Sequence, residues 1–191
     1  MPKQVDAHAQ RREIRGAARR VFARRGVRGT GLSHVAREVG MGRSSLYHYY
    51  SDKDALLRDL VRTTLEQEGA LFRDCLRAPG TALERVHRLL DALLETFEEW
   101  ASVGRMQIEF RVRDARFRRF FRNIRDELAT ALEDGQAHGE IDAALDPQLG
   151  AATLIGAIDG LLLQYFIDAK AFDLDALAVE LRRVASRMLA P

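Results

Sequence analysis

Between Leu32 and Tyr50 the chain reads LSHVAREVGMGRSSLYHYY, and this stretch constrains the fold more than any other. Its spacing predicts two short helices with a break at Gly40-Met41-Gly42. The first sets Leu32, Val35, Ala36 and Val39 at i, i+3, i+4 and i+7, one buried stripe. The second keeps only Leu46 and Tyr50 for the interior and turns Arg43, Ser44, Ser45, Tyr47, His48 and Tyr49 to solvent. An outward face of hydroxyls, rings and one guanidinium, with no carboxylate, suits a polyanion. A second helix of this kind after a glycine-containing turn is the helix-turn-helix arrangement, whose recognition helix enters the DNA major groove.

The charge distribution agrees. The formal net charge of the 191 residues is only +2. Residues 1–50 nevertheless hold eleven Lys or Arg against Asp6, Glu13 and Glu38, which is +8 and leaves −6 for the remainder. A basic end on an acidic body fits a nucleic-acid contact at one end and a different task at the other. The arginines of the first helix (Arg11, Arg12, Arg15 and Arg19) read mostly as a solvated face, with one or two near enough to reach phosphates.

Helical stripes continue along the chain, and no alternating β-branched run reads as a strand. Ile14, Ala17, Ala18, Val21 and Phe22 mark a first helix stopped near Gly26. Ser51 or Asp52 caps a fourth, striped by Leu56, Leu57, Leu60, Val61 and Leu65. Thr81 and Glu84 form a capping box ahead of Leu83, Val86, Leu90, Leu93, Phe97 and Trp100. A short segment spans about Met106 to Arg113. Phe117, Phe121, Ile124, Leu128 and Leu132 stripe a long helix ending near Gly139. Asp146-Pro147 opens a nearly all-apolar helix, and Asp173 opens a last one striped by Leu177, Leu181, Val184 and Met188. The expectation is an all-α chain of about nine helices. Residues 1–55 form the DNA-binding domain, with its motif at about 30–50, and residues 56–191 a ligand-binding and dimerisation body.

Several classes are set aside. Cys75 is the only cysteine, so no intrachain disulfide or Cys-rich zinc site can form, and it reads as a small buried hydrophobe. Met1 to Gln10 lacks the apolar region of a secretory signal, so the expected location is cytoplasmic. Leu149 to Ile167 is apolar enough to suggest a membrane span, but Asp159 at its middle would cost about 2.5–3.5 kcal/mol on insertion. Gly156 and Gly160 allow another helix to approach closely, and the segment reads as a buried helix at a subunit interface. No nucleophile triad, phosphate loop or dinucleotide fingerprint occurs. His138-Gly139-Glu140 mimics one deaminase element without the cysteines that should follow. No catalytic residue, metal or cofactor is expected. An architectural DNA-binding dimer without an effector is the alternative, and the long body beyond the DNA unit argues against it.

The segments Ala17-Ala18-x-x-Val21-Phe22-Ala23-x-x-Gly26, Val35-Ala36-Arg37-Glu38-Val39-Gly40, Leu46-Tyr47-His48-Tyr49-Tyr50 and Lys53-Asp54-Ala55-Leu56-Leu57 strongly resemble the TetR family of transcriptional repressors. The resemblance covers about residues 10–57 and implies an all-helical homodimer. In such a dimer the last two long helices build the interface, and a pocket in the body binds an inducer. It also implies that Lys53 touches a phosphate and that Tyr47 contacts backbone or base. Arg43, Ser44, Ser45, His48 and Tyr49 fall at the variable, operator-reading positions. Three positions depart from the family pattern. Gly42 stands where a serine cap is usual, Gly31 replaces a common Thr or Ser, and Tyr50 replaces Phe. The second departure leaves Thr30 or Ser33 as the hydroxyl contact at the start of the second helix.

Phosphate contacts give affinity and salt dependence, and base-edge contacts give sequence preference. Lys53, Thr30, Tyr47 and Tyr49 are candidates for the first. Arg43, Ser44, Ser45 and His48 are candidates for the second, Arg43 as either a guanine reader or a phosphate clamp and His48 against a base or a sugar. A two-fold dimer calls for a palindromic operator. Candidate pocket residues are His87, Phe97, Trp100, Met106, Phe110, Phe117, Phe121 and Tyr165, any of which is more often core than ligand wall. They suggest a hydrophobic or amphipathic small-molecule effector. Gly156, Asp159, Gly160, Leu177 and Leu181 are the candidate dimer contacts.

Overall fold

A computed structural model describes residues 6–96 and 115–191. Among these residues there are eight α-helices, one 3-10 turn and no strand. The helices are α1 (Ala7–Arg25), α2 (Leu32–Val39), α3 (Arg43–Tyr47), α4 (Lys53–Arg77), α5 (Ala82–Glu95), α6 (Ala115–Ala137), α7 (Pro147–Ile167) and α8 (Leu174–Leu189). The segment from Met106 to Arg113, expected as a further helix, lies outside the described residues, as do Phe97, Trp100, Met106 and Phe110.

Local chemistry sets the boundaries. Asp6 caps α1 by accepting from the His8 N–H, and Gly26 ends it at a positive φ of 69°. Asp52, not Ser51, caps α4: its Oδ1 accepts from the Ala55 N–H at 2.7 Å, while the Ser51 hydroxyl donates to the other carboxylate oxygen. Thr81 and Glu84 form the reciprocal box on α5. Asp146 accepts from the Leu149 N–H ahead of Pro147, and Asp173 caps α8 through two N–H groups.

The described residues divide into two compact units, one up to Thr64 and one from Leu65. In the first, α1 packs on α2 and α2 on α3 around Ile14, Ala18, Phe22, Val35, Leu46 and Leu56, all buried. In the second, α5 packs on α6 and α8, and α6 packs on α7. Its core holds Val86, Leu89, Leu128, Leu132, Ile141 and Leu189. Cys75 is buried there as the small hydrophobe expected, and burial raises its thiol pKa. Helix α4 is a single helix that begins in the first unit and continues into the second.

Candidate nucleic-acid interface and effector cavity

The turn between α2 and α3 is built from Gly40, held in the left-handed region at φ 71°, ψ 26°. The Met41 N–H reaches back to the Ala36 carbonyl at 2.8 Å, the six-to-one bond of a Schellman ending. The other end of α2 answers the missing hydroxyl at Gly31: the Gly31 N–H donates to His34 Nδ1 at 3.1 Å. Leu46 anchors α3 with no exposed surface. Arg43, Ser44, Ser45, Tyr47 and His48 are all exposed and Tyr49 is half-buried, so α3 presents one continuous face to solvent. Arg43 Nη2 donates to the Tyr47 hydroxyl at 3.4 Å with its guanidinium 5.7 Å from the ring centre.

Two candidates are engaged inside the protein. Thr30 is buried and its hydroxyl donates to the Gly26 carbonyl at 2.7 Å, which leaves Ser33 as the exposed hydroxyl at the start of α2. Lys53 Nζ donates to the Val27 carbonyl at 3.0 Å, so the ammonium also ties the α1–α2 loop to the start of α4.

Of the arginines expected on a solvated face, Arg12 is exposed, but Arg15 and Arg19 are engaged inside the protein. Arg15 pairs with Asp59 at 3.0 Å, and Arg19 Nη2 donates to the buried Thr64 hydroxyl at 3.0 Å. Arg20 and Arg24 both grip Glu38 on α2, at 3.0 and 2.5 Å. Their hydrogen bonds hold the Glu38 carboxyl below its usual range. Much of the basic excess at this end therefore bolts α1 to its neighbours. Spacing alone hid this, because these partners lie 14 to 45 residues away.

In the second unit, an apolar cavity of about 50 Å³ opens between α4, α5, α6 and α7. Phe72, Leu93, Phe120, Phe121, Ile124 and Ile155 line it, together with two carboxylates, Glu68 and Asp159. Of the candidates within the described residues only Phe121 is on this wall. Phe117 is buried in the α6 core. Tyr165 packs edge-to-face on Phe172 at 6.3 Å. His87 Nε2 is 3.0 Å from the Ser186 hydroxyl, at the seam of α5 and α8. Phe72 and Phe120 were not among the pocket candidates, because nothing in the spacing of apolar helix positions separates a cavity wall from plain core.

Asp159 was read as a dimer-interface residue, and the structure also sets it on the cavity wall. One side of it keeps contact with water, while the apolar groups on the other push its carboxyl up to about 6. A carboxyl raised on folding lowers stability once it ionises. The penalty is absent below about pH 4, grows between about pH 4 and 6, and is complete above that range. Asp159→Asn is therefore expected to raise the thermal midpoint near pH 7.5 and leave it unchanged near pH 4. Solvent on the open side limits the gain to on the order of 1 kcal/mol. An equal gain at both pH values in thermal unfolding would assign the effect to packing instead of charge.

Helix α7 is long and apolar enough to cross a membrane by length and composition, yet only 22% of its apolar window is buried. Leu149, Leu163 and Ile167 are 67%, 48% and 74% exposed. Gly156 and Gly160 share that face, and a Cβ added at either would meet nothing within 4 Å. On α8, Val179 and Val184 are exposed, with Leu177 and Leu181 half-buried.

A glycine-turned α2–α3 pair with an exposed, carboxylate-free second helix defines a helix-turn-helix DNA-binding protein. Comparison with known proteins narrows the class. Residues 14–60 match the bacterial regulatory proteins of the tetR family, and residues 82–190 match the C-terminal region of BetI-type transcriptional repressors. The HTH-type transcriptional regulator PksA of Bacillus subtilis is 28% identical over 180 residues, 88% of this chain and 84% of PksA. The fatty acid degradation regulator FadR from Bacillus halodurans shares the fold with a TM-score of 0.78 at 18% identity, over 92% of this chain and 94% of that one. Bacillus subtilis FadR, solved in complex with stearoyl-CoA, gives 0.71 at 20% identity, over 93% and 98%. The chain belongs to the TetR family of transcriptional regulators.

Proposed function

We propose that this regulator is a cytoplasmic, homodimeric repressor. It binds a palindromic operator through α3 and is released by a small apolar or amphipathic effector held in the α4–α7 cavity. It acts by binding and catalyses no reaction. Residues up to about 55 meet DNA, and the rest of the chain carries the effector and dimer surfaces. Arg43, Ser44, Ser45 and His48 face base edges. Tyr47, Tyr49, Ser33 and the ammonium of Lys53 meet phosphates.

The observation that carries the effector reading is the cavity wall of phenylalanines and aliphatic side chains. Its volume of about 50 Å³ holds only a few waters. An effector with a long apolar chain must therefore select a form in which the walls part. Phe72 belongs to α4, so a shift at the cavity passes along one unbroken helix toward the DNA-binding end. A ligand that prefers the parted form weakens operator binding, and operator weakens ligand binding by the same factor, typically about 5–150-fold.

The test is operator binding by fluorescence anisotropy, with the operator selected by the wild-type chain from a random DNA library. Stearoyl-CoA and free long-chain fatty acids serve as probes, because a family neighbour is solved with stearoyl-CoA. A probe that fits should weaken operator binding within the linkage range above, and Phe121→Ala should blunt that response while basal operator binding stays. Equal responses in wild type and Phe121→Ala would move the effector site elsewhere. No response to apolar, anionic or cationic amphiphiles would favour an effector-free architectural dimer.

A further inference from the structure

Helix α3 is five residues long, too short to hold a direction by its own hydrogen bonds. Its start has no side-chain cap, because Gly42 stands there. Its orientation is therefore decided by the grip on its other end, where the Tyr49 and Tyr50 N–H groups return to the Leu46 carbonyl. Tyr50 is buried, and its hydroxyl donates to Asp59 Oδ2 at 2.6 Å. The same oxygen accepts from Arg15 Nη1 at 3.0 Å, and Oδ1 accepts from Arg62 Nη2 at 2.5 Å. The Arg11 guanidinium lies 5.0 Å from the centre of the Tyr50 ring and 6.0 Å from that of Tyr49. One carboxylate on α4 thus joins α1, α4 and the residue that ends the recognition segment.

We propose that Asp59 is the positioning residue of the recognition helix, holding Tyr50 by its hydroxyl and so setting the direction in which α3 presents Arg43, Ser44, Ser45 and His48. This rests on the reading that α3 docks on DNA. Burial alone would raise the Asp59 carboxyl, but the bonds from Tyr50, Arg62 and Arg15 outweigh it and hold the pKa at about 2. The grip is therefore fully ionised wherever DNA binding is measured.

The role is one of specificity for a geometric reason. Attraction to phosphates is tolerant of angle and supplies non-specific affinity. Hydrogen bonds to base edges weaken steeply once donor and acceptor misalign. Loosening the end of α3 therefore costs operator recognition and spares random DNA. Tyr50→Phe is the clean variant, because the ring still fills its space and Asp59 keeps both arginines. Asp59→Asn keeps the shape and removes the charge.

The experiment uses the full chain and the operator selected by the wild-type chain from a random library. It measures binding to operator and to random DNA across salt concentrations, together with thermal unfolding. Both variants are expected to bind operator about tenfold more weakly, the scale of one lost hydrogen bond to a charged group. Binding to random DNA and the salt slope should stay as in the wild type, and reselection should return a more degenerate consensus. Equal losses on operator and random DNA, or a salt slope smaller by about 1, would overturn the proposal by making the cluster a phosphate site or a folding element. If Arg43→Ala loses operator binding while both cluster variants retain it, the positioning role falls alone. If Arg43→Ala is silent too, the docking of α3 is wrong and the proposal falls with it. Should Asp59→Asn lower stability too far, Tyr50→Phe decides by itself.

Discussion

Leu163→Asp or Gly156→Arg on the open face of α7 is expected to leave a folded, monomeric chain that binds operator about 10²- to 10⁴-fold more weakly. The size of the effect follows from effective concentration. In a dimer the second recognition helix binds as an intramolecular event, and a monomer loses that advantage without losing a single DNA contact. Both positions point away from the chain's own core: Leu163 is 48% exposed, and a Cβ at Gly156 meets nothing within 4 Å. The substitutions therefore cost little in the monomer, so a loss of operator binding would report on a partner at this face. Sedimentation with the operator titration checks both halves of the expectation. A variant that stays dimeric, or a monomer that keeps wild-type operator affinity, would show that the α7 stripe is not the dimer face.

Gly135→Ala is the second large expected effect, this time on stability. Gly135 is buried on α6, and a Cβ there would lie 2.5 Å from Ala82 Cβ and 2.5 Å from Ile141 Cγ1. Real Cβ atoms do not approach so closely, and neither neighbour is the free end of a long side chain. Overpacking of this kind costs about 1–3 kcal/mol or more, while alanine gains about 1 kcal/mol in helix propensity over glycine. With clashes on both sides the upper end of the cost applies, so the net loss is about 2 kcal/mol. For a chain of this size the thermal midpoint falls by roughly 4–8 °C. Gly69→Ala is the matched control: its Cβ meets only the mobile tip of Arg73 at 3.4 Å, so propensity should win and stability should rise. A neutral Gly135→Ala in thermal unfolding would mean that α5 and α6 can separate freely at this point.

Gly135 also shows where sequence reading stopped. It sits inside a strong helical stripe, where a glycine reads as a mild weakness; only the approach of Ala82 and Ile141 makes it a requirement. Asp159 gives the same lesson from the opposite side. Its place in an apolar helix announced a constrained carboxyl, but not that it would stand on the wall of a cavity with Phe121 and Ile124. Phe117 and Phe121 are indistinguishable by spacing, and one became core while the other became cavity wall.

Sequence by itself determined what is decided within a few residues. The helix starts at Thr81, Asp146 and Asp173, the stops at Gly26, Gly40 and Gly139, and the glycine turn that creates α3 all depend on groups two to five positions apart. The exposed face of α3 was legible for the same reason, since two buried positions leave the rest no choice. Tertiary structure decided what depends on partners brought from far along the chain. Arg15 and Arg19 turned from expected solvated charges into ties because Asp59 and Thr64, about a dozen helical turns downstream in sequence, fold back beside them. Thr30 turned inward because the Gly26 carbonyl needed a donor at the helix end. A carboxylate satisfied by three donors at once, as Asp59 is, has no local signature. The energy of such a group lies in contacts that exist only after the helices have packed.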